Sequence, residues 1–275
     1  MKRRGQYAGQ PSSFHAESAI PLILIAILAI FLAAKFNILP VDNIPILNQI
    51  IPSKDIKIGV FGNPSEEMRA LISSSEFQGA GGIAVRPVYQ DKLDDRSKFY
   101  VRQVDVIILT GEPYCDRTFR KAVTDRVKGG ASLIVIGDAC TRVTGDNTVI
   151  GWGIGVQLLS TVMPVEIGGL TPRREPIRTY FATGQIRIIN PDHPIFGTAQ
   201  KDFAFAGDVV DVTPTSSADV LAQVDTGAGQ RNLYAIVEGK TFPAGKVIYF
   251  AFDPAQARAV NLFKNTLLYL TSRQG

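Results

Sequence analysis

Histidine and cysteine are scarce in this chain, with two of each in 275 residues. They cannot be arranged in CxxC or HxxxH spacing, which excludes the familiar kinds of zinc site. Excess charge of one sign is also small. The formal net charge is +4, and the basic residues are scattered apart from Lys2-Arg3-Arg4 and Arg173-Arg174. No basic stripe interleaved with aromatic residues exists, so nucleic acid is excluded as a partner. A phosphate-cradling GxGxxG is missing too. The nearest glycine run, GWGIG over residues 151–155, follows no clear strand and reads as a turn entering a helix over 156–162. No internal repeat is visible, and no cofactor is expected.

One long apolar run is present. Residues 19–34 carry no charge and are almost all Ile, Leu and Ala, and Phe36, Ile38 and Leu39 extend the run to about the thickness of a bilayer core. It is apolar all round rather than on one stripe, which predicts a transmembrane helix over 19–39. Three basic residues precede it, while Lys35 and Asp42 cancel behind it. The positive-inside rule then makes residues 1–18 a cytoplasmic leader and places the rest outside, in a single-pass membrane protein with the lipid bilayer as a partner. Residues 40–54 form a linker with Pro40, Pro45 and Pro52. The RRGQ leader ahead of an apolar run also resembles the processing signal of archaeal pilin-like proteins, although residues 7–18 intervene. That resemblance implies a surface filament subunit.

Residues 55–275 read as one α/β domain. Its centre is 104–140, where two β-branched apolar runs, at 104–109 and 132–136, flank a helical pattern with Phe119, Val123 and Val127 at spacing four. Runs without polar alternation suit strands buried on both faces of a parallel sheet, and the spacing gives a helix with one apolar face to cover them. Asp116 is placed to cap that helix and Gly129-Gly130 to stop it. Upstream, 56–61 reads as a strand, Ser65 caps a helix running to about Phe77, 83–89 is a second strand, and 92–103 holds a short charged helix. The alternation implies a doubly wound, mostly parallel sheet. Downstream, 141–148 reads as a polar loop and 170–185 as an excursion carrying Arg173, Arg174 and Arg178. Residues 190–197 (NPDHPIFG) read as a proline-fixed turn. Strands are expected at 209–212, 220–224, 233–237 and 246–252. A last helix is expected to start at Asp253-Pro254, with Ala257, Val260, Phe263 and Leu267 on its apolar face.

Several of these segments together resemble the class I glutamine-amidotransferase-like superfamily, in the layout of its ThuA-like branch. They are VDVIILTGEP, the helix ending VKGG, SLIVIG, HPIFG, GKVIYFAFDPA and the final LFKNTLLYL. The resemblance implies a flavodoxin-like three-layer α/β/α sandwich. Active members place a Cys on a sharp turn after the strand matching 132–137, and a His and a Glu after a late strand. Cys140 lies close to that turn. The position matching the His is Asp253, and that matching the Glu is Ala255. A thiol needs a neighbouring base to act as a nucleophile at neutral pH, so the replacement implies a chain without the superfamily's catalysis.

Ligands of open α/β sheets gather beyond the carboxyl ends of the strands. Here those ends carry Glu112, Cys115, Asp138, Cys140 and Asp253. Glu112, Asp138 and Asp253 read as an acidic ligand-binding site for a cation or a sugar, or as capping and solvated carboxylates. For Cys115 and Cys140 three readings stand: a disulfide, two inert thiols, or a reactive Cys140. The functions that follow are a membrane-anchored binding or interaction module with a protein or carbohydrate ligand, and a hydrolase or carbohydrate-active enzyme with a rewired acidic site.

Overall fold

In the computed structural model the described residues are 56–74, 85–152, 159–167, 177–197, 202–226, 233–241, 245–257 and 259–271. All lie in the compact unit Lys54–Ser272. The leader, the 19–39 run, the linker and the pilin-like signal fall outside them, as do Arg173 and Arg174.

The unit is built on one nine-stranded sheet that runs, edge to edge, Phe203–Val210, Thr179–Ile188, Asp219–Asp225, Leu233–Thr241, Gly245–Phe250, Ser132–Ile136, Val106–Thr110, Ile56–Gly62 and Val85–Gln90. The first half is wound as its sequence periodicity dictates. β1 (Ile56–Gly62) leads into α1 (Glu66–Ser73), whose Ser65 cap accepts the Met68 N–H at 3.1 Å. β2 (Val85–Gln90), α2 (Ser97–Val101) and β3 (Val106–Thr110) follow. A two-residue strand, β4 (Tyr114–Cys115), precedes α3 (Arg117–Lys128), and β5 (Ser132–Ile136) completes the crossover. β3 and β5 are buried at every position, as expected for strands covered on both sides. Phe119, Val123 and Val127 of α3 are buried, and Phe119 packs on Phe61 of β1 with ring centroids 5.5 Å apart. Asp116 holds the cap position of α3 but makes no side-chain cap bond.

The second half departs from the expected fold class. β8 (Val165–Ile167) and β11 (Val212–Pro214) pair with each other beside the main sheet. β9 (Thr179–Ile188), β10 (Phe203–Val210), β12 (Asp219–Asp225), β13 (Leu233–Thr241) and β14 (Gly245–Phe250) extend it by antiparallel pairing, from β10 as far as β14. β14 alone turns back to run parallel to β5. The sheet is therefore mixed, with four parallel and four antiparallel pairings, rather than mostly parallel. The reason is short connections: among the described residues no α-helix lies between β9 and β14, only a 3-10 turn at Pro194–Phe196, and antiparallel neighbours need no crossover helix.

The transmembrane part of the expected fold class is corrected as well. Among the described residues no helix is long and apolar enough to cross a membrane. The fold is that of an α/β domain with a large mixed sheet.

Three further segments differ from expectation. The polar stretch after Cys140 forms a small ribbon, β6 (Arg142–Val143) and β7 (Asp146–Ile150), joined to β4 in a separate three-stranded sheet. Of the expected 170–185 excursion, the part from 179 onward is strand β9, and 170–176 lie outside the described residues. The last helix, α4 (Val260–Thr271), begins seven residues after Asp253, because the intervening chain closes turns through Ala257 N–H to Asp253 O and Ala259 N–H to Pro254 O. Val260 is left exposed, while Leu262, Phe263, Thr266, Leu267 and Leu270 face inward.

Candidate functional site at the carboxyl edge

β14, β5 and β3 are neighbours, and their carboxyl ends carry Asp253, Asp138-Cys140 and Glu112. Around them the backbone is drawn tight. Gly111 has φ 65°, and a Cβ there would run into the carbonyl of Asn63, so the turns after β1 and β3 are in direct backbone contact.

The turn after β5 is held by bonds at every carbonyl from Gly137 to Cys140. Tyr249 OH donates to Gly137 O at 3.1 Å, Thr141 Oγ1 to Asp138 O at 2.7 Å, and Trp152 Nε1 to Ala139 O at 3.1 Å. The Arg120 guanidinium donates from Nη2 to Cys140 O at 2.8 Å. Burial pushes the Tyr249 hydroxyl well above the ordinary phenol range, with Asp138 and Asp211 adding to the effect, so it stays a donor. The N–H groups are spent too: Cys140 N–H donates to Glu112 O at 2.8 Å and Thr141 N–H to Asp138 O at 3.2 Å. Cys140 itself is the only described non-glycine residue with positive φ, at 58°. That is the left-handed conformation of a sharp turn.

Cys140 is bonded to Cys115 in a disulfide, with Cα atoms 5.3 Å apart, inside the usual range. Both cysteines are fully buried. Beside them lies Arg120, 1% exposed. Its Nε donates to Cys115 Sγ at 3.3 Å and its Nη1 to Gly151 O at 3.3 Å. Among the described residues its acceptors are carbonyls and sulfur, and none is a carboxylate. Burial lowers its pKa to about 10, with the like charge of Arg117 adding a little, so it remains a cation at neutral pH.

The three carboxylates are not brought together as a cation site. Glu112 accepts the Tyr114 N–H at 2.8 Å and Asp253 the Ala255 N–H at 2.9 Å, each capping its own turn. They leave strands two spacings, about 10 Å, apart. Among the described residues no group of three or more His, Cys, Asp or Glu side chains is placed to hold a metal ion.

Sequence reasoning missed a buried polar cluster on the α4 side of the sheet. Glu238 of β13 is 2% exposed. His193 Nε2 lies 3.2 Å from its Oε2, and Tyr269 OH donates to its Oε1 at 2.6 Å. Ile195 N–H points at His193 Nδ1, which assigns the Nε2–H tautomer and makes Nε2 the donor to Glu238. Burial, and then the Glu238 carboxylate, push the Tyr269 hydroxyl upward. Lys246 Nζ sits 3.9 Å over the Tyr269 ring and donates to its carbonyl at 3.0 Å. The signal that could have found this cluster is a lone Glu inside the apolar run LYAIVE.

Solved structures share this fold. A ThuA-like protein from Bacteroides uniformis ATCC 8492 matches 81% of this chain and 93% of its own, at 10% identity and TM-score 0.51. A β-galactosidase from the haloarchaeon Halorubrum lacusprofundi matches 78% of this chain and 30% of its own, at 12% identity and TM-score 0.53. A cold-adapted β-galactosidase from Rahnella sp. R3 matches 80% of this chain and 32% of its own, at 12% identity and TM-score 0.51. This chain thus spans about a third of the β-galactosidases' length, and at such identities the likeness is one of fold. No family model and no curated protein matches the sequence.

Proposed function

We propose that the chain is an extracytoplasmic α/β module that binds a protein or carbohydrate ligand without turning it over. The observation that carries this reading is the state of Cys140. Its sulfur is in a disulfide, and its N–H and that of Thr141 are both consumed within the protein. A thiol so placed offers no thiolate, and the turn offers neither of these two donors to an oxyanion. His193 is engaged with Glu238 instead. A disulfide also suits an oxidising compartment, which supports the extracytoplasmic placement.

A second reading keeps an enzyme. Glu112, Asp138 and Asp253 end adjacent strands, and β-galactosidases are among the proteins of similar fold. The capping bonds of Glu112 and Asp253 weigh against it.

The test is turnover by the full-length chain on glutamine and on a panel of aryl glycosides, beside Cys140→Ala and Asp138→Asn. No turnover above the blank is expected. Activity lost in Cys140→Ala would reject the first reading in favour of a thiol enzyme, and activity lost in Asp138→Asn would favour the acidic site.

A further inference from the structure

Arg120 is a buried cation whose side-chain partners among the described residues are all neutral. Taking a guanidinium out of water is costly unless an anion accompanies it. In the oxidised chain its side-chain contacts among the described residues are Cys115 Sγ, Cys140 O and Gly151 O, and the like charge of Arg117 acts against it. One atom in that set can become an anion: the sulfur of Cys115. We propose that the Cys115–Cys140 disulfide is a reducible latch, opened by a dithiol reductant, and that its reduced form is held by a Cys115 thiolate paired with Arg120. The inference goes beyond the binding reading and does not depend on it, since neither sulfur is asked to act on a ligand.

The exchange has a direction. A thiolate of the reductant attacks Cys140 Sγ, the S–S bond breaks, and its electron pair leaves on Cys115 Sγ, where the guanidinium receives it. The second thiol of the reductant then attacks the mixed disulfide, closing its own disulfide and releasing Cys140. The reductant surrenders two electrons and two protons. One proton ends on the Cys140 thiol and the other goes to solvent. The better-stabilised sulfur is the better leaving group, so attack falls on Cys140 rather than Cys115.

The fold supplies a reason for the latch to matter. Cys115 ends β4 immediately before α3, and Cys140 sits in the turn after β5. The bond pins the β4-β6-β7 ribbon across the carboxyl edge. Among the described residues, Arg142 N–H to Pro113 O at 2.7 Å and Thr144 N–H to Cys115 O at 3.2 Å join β6 to β4, and three backbone bonds tie the ribbon's ends to its surroundings, Cys140 N–H to Glu112 O, Gly151 N–H to Thr141 O and Asp116 N–H to Leu93 O, each at 2.8 Å. Short strands with so few ladder bonds open at low free energy. Because both sulfurs are buried, the reductant gains access only in such openings. Reduction would then leave the ribbon free and uncover this edge.

The experiment uses the full-length chain. Incubation with a monothiol such as glutathione traps the mixed disulfide, which peptide mass spectrometry locates. Adduct on Cys140 alone is expected, and adduct on Cys115, or shared evenly, overturns the proposal. In Cys140→Ser, ultraviolet thiolate absorbance is expected to place the Cys115 titration about one pH unit or more below an ordinary thiol value of about 8.5. A titration at or above that value also overturns it. Arg120→Gln is expected to shift the equilibrium with dithiothreitol about tenfold toward the disulfide, with Arg120→Lys restoring part of the shift. An unchanged equilibrium in Arg120→Gln counts against the pairing. Where Arg120→Gln does not fold, the adduct position and the Cys115 titration decide.

Discussion

Single residues at two places set the character of this domain. At Glu238, one buried carboxylate serves two donors, the half-buried Tyr269 hydroxyl and the buried His193 imidazole. Truncation would take this acceptor from both. An unsatisfied buried group costs about 1–3 kcal/mol, so Glu238→Ala is expected to lower unfolding free energy by about that much, chiefly through His193, in urea titrations. Glu238→Gln keeps an acceptor and should lose less. Equal losses would mean that the charge, not the hydrogen bonding, holds the cluster. At Cys140, by contrast, the left-handed backbone and the disulfide act on the same atom set. This turn was legible in the sequence only as a neighbourhood. Cys140 could be placed after a buried strand from SLIVIG, but its pairing with Cys115 required the spatial position of β4, a strand of two residues. Nothing in the spacing of the chain announces an element so short.

Among the elements, legibility followed periodicity. β3, α3 and β5 were readable because their apolar residues obey one rule each: a continuous run for a strand covered on both faces, and spacing four for a helix covering one. β9 and β10 were not. Thr179–Ile188 alternates weakly and carries exposed Tyr180 and Phe181, since the ribbon it forms with β10 lies at the margin of the sheet. The mixed topology had a signal that parallel winding upstream obscured, namely four apolar runs after 209 with no helical pattern between them. The β4-β6-β7 ribbon was hidden for another reason: its buried Cys115, Val143 and Val149 are scattered among polar residues with no period, and its order comes partly from contacts such as the Arg117–Asp146 ion pair that joins α3 to β7. Hydrogen bonds from Thr148, then the Arg117 interaction, hold the Asp146 carboxyl below its ordinary range. A group whose folded pKa is depressed contributes fully above its unfolded value of about 4 and loses that contribution as pH falls through the folded value. Asp146→Asn is therefore expected to speed reduction of the buried disulfide at neutral pH, by freeing the ribbon to open more often. Stopped thiol-release kinetics would check it, and an unchanged rate would place the opening elsewhere.

For the whole molecule, the disulfide and the sheet contribute differently. The bond closes a loop of 25 residues, for which the chain-entropy estimate is about 3 kcal/mol. Full reduction, or Cys115→Ala with Cys140→Ala, is expected to lower Tm by several degrees without unfolding the domain at room temperature. Calorimetry on oxidised, reduced and doubly substituted chain measures this. A reduced chain that melts lower than the double variant would show that unpaired thiols themselves destabilise the site. The sheet has a different vulnerability. β14 follows every other strand of the described chain, yet it is the seam between the two halves, with Val247 against Leu133 on one side and Ile236 against Phe250 on the other. Until that strand emerges from the ribosome, β5 and β13 each show an unpaired margin to their surroundings. A nascent chain stalled before residue 245 would carry two half-sheets with open margins, and is expected to aggregate far more readily than the finished protein.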